Sequence, residues 1–127
     1  LARELDITGS PILFELEIQP ALKRRLAAFA EISRFPSVRR DLAVVVDENV
    51  ALSALRERVV LSASSLLREF LVFDLYRGPG IETGRKSIAL GLIFQEKTRT
   101  LTDADADNAM AAIRADLSAA LGATFRE

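Results

Sequence analysis

An acid, an aromatic and a hydroxyl bracket a glycine-rich segment in FDLYRGPGIETGRKS, residues 73–87. On a strand Asp74 and Tyr76 project from one face, because side chains alternate along extended chain. Ser87 lies beyond the glycines, where a hairpin register sets it beside one of them. The same face would carry Ala43, Ala89 and Gly91, a floor of small residues with room for something flat. Such a set can bind a nucleobase, the ring stacking on it and the polar groups meeting its Watson–Crick edge. Guanine presents two neighbouring donors there, which one carboxylate accepts together. Arg39, Arg77 and Arg85 are the cations at hand for phosphates. A plainer account stands beside this one. In it Asp74 is an exposed strand acid paired with Lys or Arg across the hairpin, and the arginines keep a hairpin tip soluble.

The glycines also invite a phosphate-loop reading, which the spacing refuses. That loop needs G-x-x-x-x-G-K-[ST] with a helix opening at the lysine, so that the helix N-terminus meets phosphate. Here Gly78 and Gly84 stand one residue too far apart, Arg85 separates Gly84 from Lys86, and KSIALGLIF alternates as a strand does. The dinucleotide-binding pattern fails for the same want of a helix. DADADN, residues 103–108, imitates the start of a calcium loop but continues with Asn108 and Arg114 where that loop needs Gly and Glu. Helix capping accounts for it: Thr102 or Asp103 caps, and Thr102-x-x-Asp105 has the form of a capping box. With no histidine and no cysteine in 127 residues, the commonest general base, metal ligand and thiolate nucleophile are all missing. The remaining acids are mostly spread over helix faces and strand ends, the usual solvated pattern, and Asp74, mid-strand between aromatic neighbours, is the exception.

The elements that would position these residues follow from hydrophobic period. RRDLAVVVDE alternates, with Leu42, Val44 and Val46 on one face. ENVALSALRERVVLSA has helical spacing, with Leu52, Leu55, Val59 and Val60 as its apolar stripe. LLREFLVFDLYR reads as a strand with Leu71, Phe73 and Leu75 on one face and Val72, Asp74 and Tyr76 on the other. RKSIALGLIFQEK turns Ile88, Leu90, Leu92 and Phe94 inward. A second helix follows, with Met110, Ile113, Leu117 and Leu121 buried, then Gly122 as its stop and ATFRE as a last strand. The order β-α-β-β-α-β predicts an α+β, ferredoxin-like sandwich: an antiparallel sheet, two helices on one face and the other face open.

Residues 1–32 differ in character. LARELDI is helix-like, and ILFELEI predicts a strand over 12–18 whose apolar side, Ile12, Phe14 and Leu16, needs a partner from other sequence or a second copy of the chain. Self-association through that strand is the corresponding expectation. The first residue is Leu1 rather than Met, which suggests a piece of something longer, and no apolar run reaches membrane-span length, which makes a cytoplasmic origin the default. Seventeen basic against eighteen acidic side chains give a formal net charge of −1. Any RNA binding must therefore rest on a local patch and not on overall charge.

Four motifs, in order, carry a resemblance: F-P-x-x-R-R-D in SRFPSVRRDLAVVVDENV, then F-D-x-Y-x-G, G-x-K-S and R-T-L-T-D in FDLYRGPGIETGRKSIALGLIFQEKTRTLTDADADNA, closing with GATFRE. From about Ser33 to Glu127 the chain resembles the C-terminal anticodon-binding domain of the bacterial phenylalanyl-tRNA synthetase β subunit, and LARELDI and ILFELEI resemble the end of the catalytic-like module before it. The resemblance implies a ferredoxin-like domain at 33–127, preceded by a module tail and linker at 1–32. It implies binding of the anticodon stem-loop of phenylalanine tRNA, with the first anticodon base, a guanine, stacked on Tyr76 and bonded to Asp74 and Ser87. It further implies an α subunit in an α2β2 parent, where ATP, Mg²⁺ and phenylalanine are handled, and neither a catalytic residue nor a cofactor in this chain. The alternative carried from the topology alone is a small-molecule regulatory or dimerisation domain, recognisable by a second sheet covering Tyr76. A generic RNA-recognition motif fits poorly, since SIALGLIF has no outward aromatics of the required type.

Overall fold

The structure is a computed structural model that describes residues 9, 12–22, 29 and 32–126. The chain divides into two compact units, Leu1–Glu31 and Ile32–Glu127. In the first, residues 12–17 form no strand, and a single helical turn, α1 (Ile18–Ala21), follows. Ile12, Phe14 and Leu16 alternate as a strand would and remain exposed. An alternating pattern makes a strand only where a neighbour supplies hydrogen bonds, and none of the described residues does so here. The strand expected over 12–18 is thus corrected. LARELDI lies outside the described residues.

The second unit runs β1 (Val38–Asp47), α2 (Leu52–Ser62), a 3-10 turn (Ser64–Leu66), β2 (Leu67–Tyr76), β3 (Arg85–Phe94), α3 (Asp103–Leu121) and β4 (Thr124–Arg126). The sheet order is β2-β3-β1-β4, with every neighbouring pair antiparallel. This is the ferredoxin-like arrangement that the β-α-β-β-α-β order predicts. One sheet face supplies Leu42, Val44, Val46, Ile88, Leu90, Leu92 and Phe94 to a core closed by Leu55 and Val59 of α2 and by Met110, Ile113 and Leu117 of α3. Burying these side chains is the main source of stability, at about 1.5–3 kcal/mol for each large one. Among the described residues of this unit, the other face carries no helix.

Both ends of α3 are fixed as their residue types dictate. Thr102 accepts from the Asp105 backbone, and Asp105 accepts from the Thr102 backbone, a complete capping box. Gly122 ends the helix with φ 58°, a left-handed conformation that glycine adopts without strain. The apolar stripe of α2 is narrower than expected. Only Leu55 and Val59 are buried, while Leu52 and Val60 are exposed, because the sheet and α3 meet one line of that helix.

Candidate nucleic-acid interface

Strand β3 sits between β1 and β2 and sets the floor of the open face. Ser87 lies opposite Tyr76 on β2 and opposite Val45 on β1, and Ala89 lies opposite Asp74 and Ala43. Alternation from Asp74 to Tyr76 produces this, but it does not extend through the whole of β2. The register shifts between Val72, which faces Leu90, and Asp74, which faces Ala89, so Phe73 is an extra, bulged residue. The bulge reverses the parity, so that Leu71 and not Val72 shares the open side with Asp74 and Tyr76. That corrects the assignment of Val72 to their face.

Asp74, Tyr76 and Ser87 come together with Ala43, Ala89 and Arg126 around a shallow cavity of about 330 Å³. Gly91, expected in the same floor, lies outside it, beneath Arg39. Tyr76 is held from the turn: its hydroxyl donates to the Pro79 carbonyl at 3.0 Å. Gly78 is what permits that pose, because a Cβ there would stand 2.9 Å from the phenol oxygen. Asp74 accepts the Leu75 N–H on Oδ1 at 2.9 Å and forms no ion pair among the described residues. The cross-hairpin salt bridge of the plainer account is therefore not formed. Ser87 is only 6% exposed as a residue, but its hydroxyl reaches solvent, and among the described residues it has no hydrogen-bond partner. The cavity thus offers an aromatic plane, a carboxylate acceptor and a hydroxyl that nothing in the fold occupies.

Arg126 is the member that sequence reasoning missed. Its guanidinium lies 6.0 Å from the centroid of the Tyr76 ring, within cation–π range. The signal was present: Phe125 packs against the core, so alternation turns Arg126 to the open side, opposite Ala43.

The three arginines named from sequence lie elsewhere. Arg77 pairs with Glu48, its Nε donating to Oε1 at 2.8 Å, which raises the guanidinium pKa and lowers that of the carboxyl. Arg85 donates to the Val45 and Gly122 carbonyls, both at 2.8 Å, joining β1 to the turn before β4. Neither lines the Tyr76 cavity. Arg39 is on the open face, with Nε donating to Asp41 at 2.8 Å. Arg40, its neighbour, pairs with Asp103 and Asp107 of α3. In G-x-K-S, Lys86 donates to the Glu48 carbonyl at 2.7 Å, so that motif's lysine serves the fold. Residues 77–84 are turn and bend, and a strand follows them, in keeping with a hairpin and not a phosphate loop.

A ferredoxin-like sheet with a base-sized cavity on its helix-free face defines an α+β binding module. Residues 33–126 match the ferredoxin-fold anticodon binding domain family, and the chain belongs to it. It is 50% identical over 111 residues, 87% of its length, to the phenylalanine–tRNA ligase beta subunit of Xanthomonas campestris. It is 44% identical over all 127 residues to that of Methylococcus capsulatus and 48% identical over 113 residues to that of Xylella fastidiosa. The chain spans 14–16% of the length of these relatives.

Proposed function

We propose that this domain reads the first anticodon base of phenylalanine tRNA, a guanine, in the cavity between β2, β3 and β4. The base stacks on Tyr76. Its N1 and N2 donors go to the Asp74 carboxylate, and Ser87 adds a bond from the floor. Arg126, beside the ring, neutralises phosphate or lies against the stacked base. The observation that carries this reading is the set of unoccupied polar groups around one exposed aromatic, in a member of an anticodon-binding family.

The parent protein implied by the relatives is the β subunit of a phenylalanine–tRNA ligase in the cytoplasm, with residues 1–32 closing the module before this domain. Aminoacylation, with ATP and Mg²⁺, then belongs with the α subunit of the assembly. This domain contributes recognition alone.

The test is affinity for an anticodon stem-loop RNA with guanine, inosine or adenine at the first anticodon base. Inosine lacks the N2 amine and adenine lacks both donors, so affinity falls in that order, and Asp74→Asn narrows the differences. Tyr76→Ala weakens binding by about 1–3 kcal/mol, the range for one stacked base. Equal binding of all three RNAs would overturn the proposal. Protection of Tyr76 by a second copy of the chain, without RNA, would instead favour a dimerisation domain.

A further inference from the structure

Beyond the Tyr76 cavity the open face holds a second feature, built by three strands at once. Arg39 leaves β1 opposite Ile93, crosses β3 and ends 5.6 Å from the centroid of the Phe73 ring on β2. It crosses at Gly91. A Cβ on that residue would lie 3.3–3.5 Å from Nη2, Nε and Cζ, so the guanidinium rests flat on the glycine backbone. Asp41, which pairs across the sheet with Gly91, accepts from the Arg39 Nε and fixes the plane from its own edge. Phe73 is the bulged residue of β2 and is 55% exposed. The Arg39 side chain is 54% exposed despite contacts beneath it, beside it and along one edge. The result is a flat shelf of guanidinium and phenyl with its outer side open.

We infer that this shelf is a second stacking site, taking the nucleobase next to the one read at Tyr76. It rests on the Tyr76 reading, since it needs RNA on the same face. Aromatic rings and arginine planes are the surfaces on which unstacked RNA bases lie. Phe73 precedes Tyr76 by about 10 Å of strand, within reach of an adjoining nucleotide. Every base has a π-face, so the shelf contributes affinity and direction without choosing a base. The role differs from a phosphate contact, which needs only charge. Here the plane of the guanidinium matters, and Gly91 and Asp41 exist to hold it.

The experiment uses the whole chain and the guanine-bearing anticodon stem-loop, together with RNAs lacking the base on the 5′ or on the 3′ side of that guanine. Phe73→Ala lowers affinity for the intact RNA about tenfold and has no effect with one of the two abasic RNAs. An equal loss with all three RNAs, or no loss with any, overturns the shelf. Arg39→Lys keeps the charge without the plane and loses as much as Arg39→Ala; full rescue by lysine makes Arg39 a phosphate contact and also overturns it. Gly91→Ala displaces the guanidinium from below and lowers affinity in the same RNA-dependent way. Thermal unfolding of each variant confirms an intact fold. If removing the guanine itself leaves affinity unchanged while Phe73→Ala still depends on a neighbouring base, the Tyr76 reading fails and the shelf stands.

Discussion

The two ends of the β2–β3 hairpin carry similar polar residues and use them differently. At the turn, Arg77 is bonded to Glu48, Arg85 to two backbone carbonyls and Lys86 to a third. A few residues away, on the open face, Asp74 has no cation among the described residues and Ser87 has no partner. Cationic groups at the turn are committed to the protein, whereas in the cavity the Ser87 hydroxyl and one Asp74 oxygen are left to solvent or a ligand. Because both groups still reach solvent, leaving them without a protein partner costs the fold little, and a ligand can take the place of water. The glycines divide in the same way: Gly80 and Gly84 take left-handed turn conformations, while Gly78 clears the space in which the Tyr76 phenol lies.

The sharpest way to break that contrast uses two adjacent residues of β3. Leu90 is fully buried in the core, and Ala89 is in the floor of the cavity. Leu90→Ala removes core volume and destabilises the domain by about 2–5 kcal/mol, while its folded fraction binds RNA normally. Ala89→Leu fills the cavity, abolishes selective binding and shifts stability by no more than about 0.5 kcal/mol, as expected of a substitution outside the core. Urea unfolding and RNA titration on both variants separate the two faces. If Ala89→Leu bound RNA unchanged, the open face would not be the interface.

Such a pair could be chosen from sequence because β1 and β3 follow strict alternation from end to end. Leu42, Val44 and Val46, with Ile88, Leu90, Leu92 and Phe94, all face the core as their period demands. Asp74, Tyr76 and Ser87 were legible for the same reason. The part of β2 before Asp74 was not, because a bulge inserts a residue without leaving a mark in the hydrophobic pattern. It was the bulge that put Phe73 within reach of Arg39 and moved Val72 to the other face. Arg126 escaped notice in a strand of three residues, too short for a period to declare itself. Residues 12–17 show the opposite error, alternation that no strand among the described residues pairs with.

A smaller effect tests the turn. Arg85→Met leaves the Val45 and Gly122 carbonyls without their charged donor, and a loss of about 1.5–3 kcal/mol in stability follows. RNA affinity of the folded variant stays near that of the parent, and the dependence of binding on salt keeps its slope. A slope reduced by about 1 would instead make Arg85 a phosphate contact and erase the distinction between turn and face.

The smallest effect is one of pH and lies at the far side of the fold, at the start of α3. Asp105 accepts from Arg99, from the Thr102 backbone and from the Thr102 hydroxyl, in that order of influence, and its carboxyl is held well below the ordinary value of 3.8. A pKa lowered by folding means that the ionised carboxylate stabilises the native state. Its contribution is complete above the ordinary carboxylate pKa and is lost as pH falls through the depressed one. Asp105→Asn is therefore less stable than the parent near neutral pH, and the gap between the two narrows as the solution is acidified below 3.8. Denaturant unfolding of both proteins across the acid range checks this. A gap for Asp105→Asn that is flat with pH would mean the capping box acts through its geometry alone.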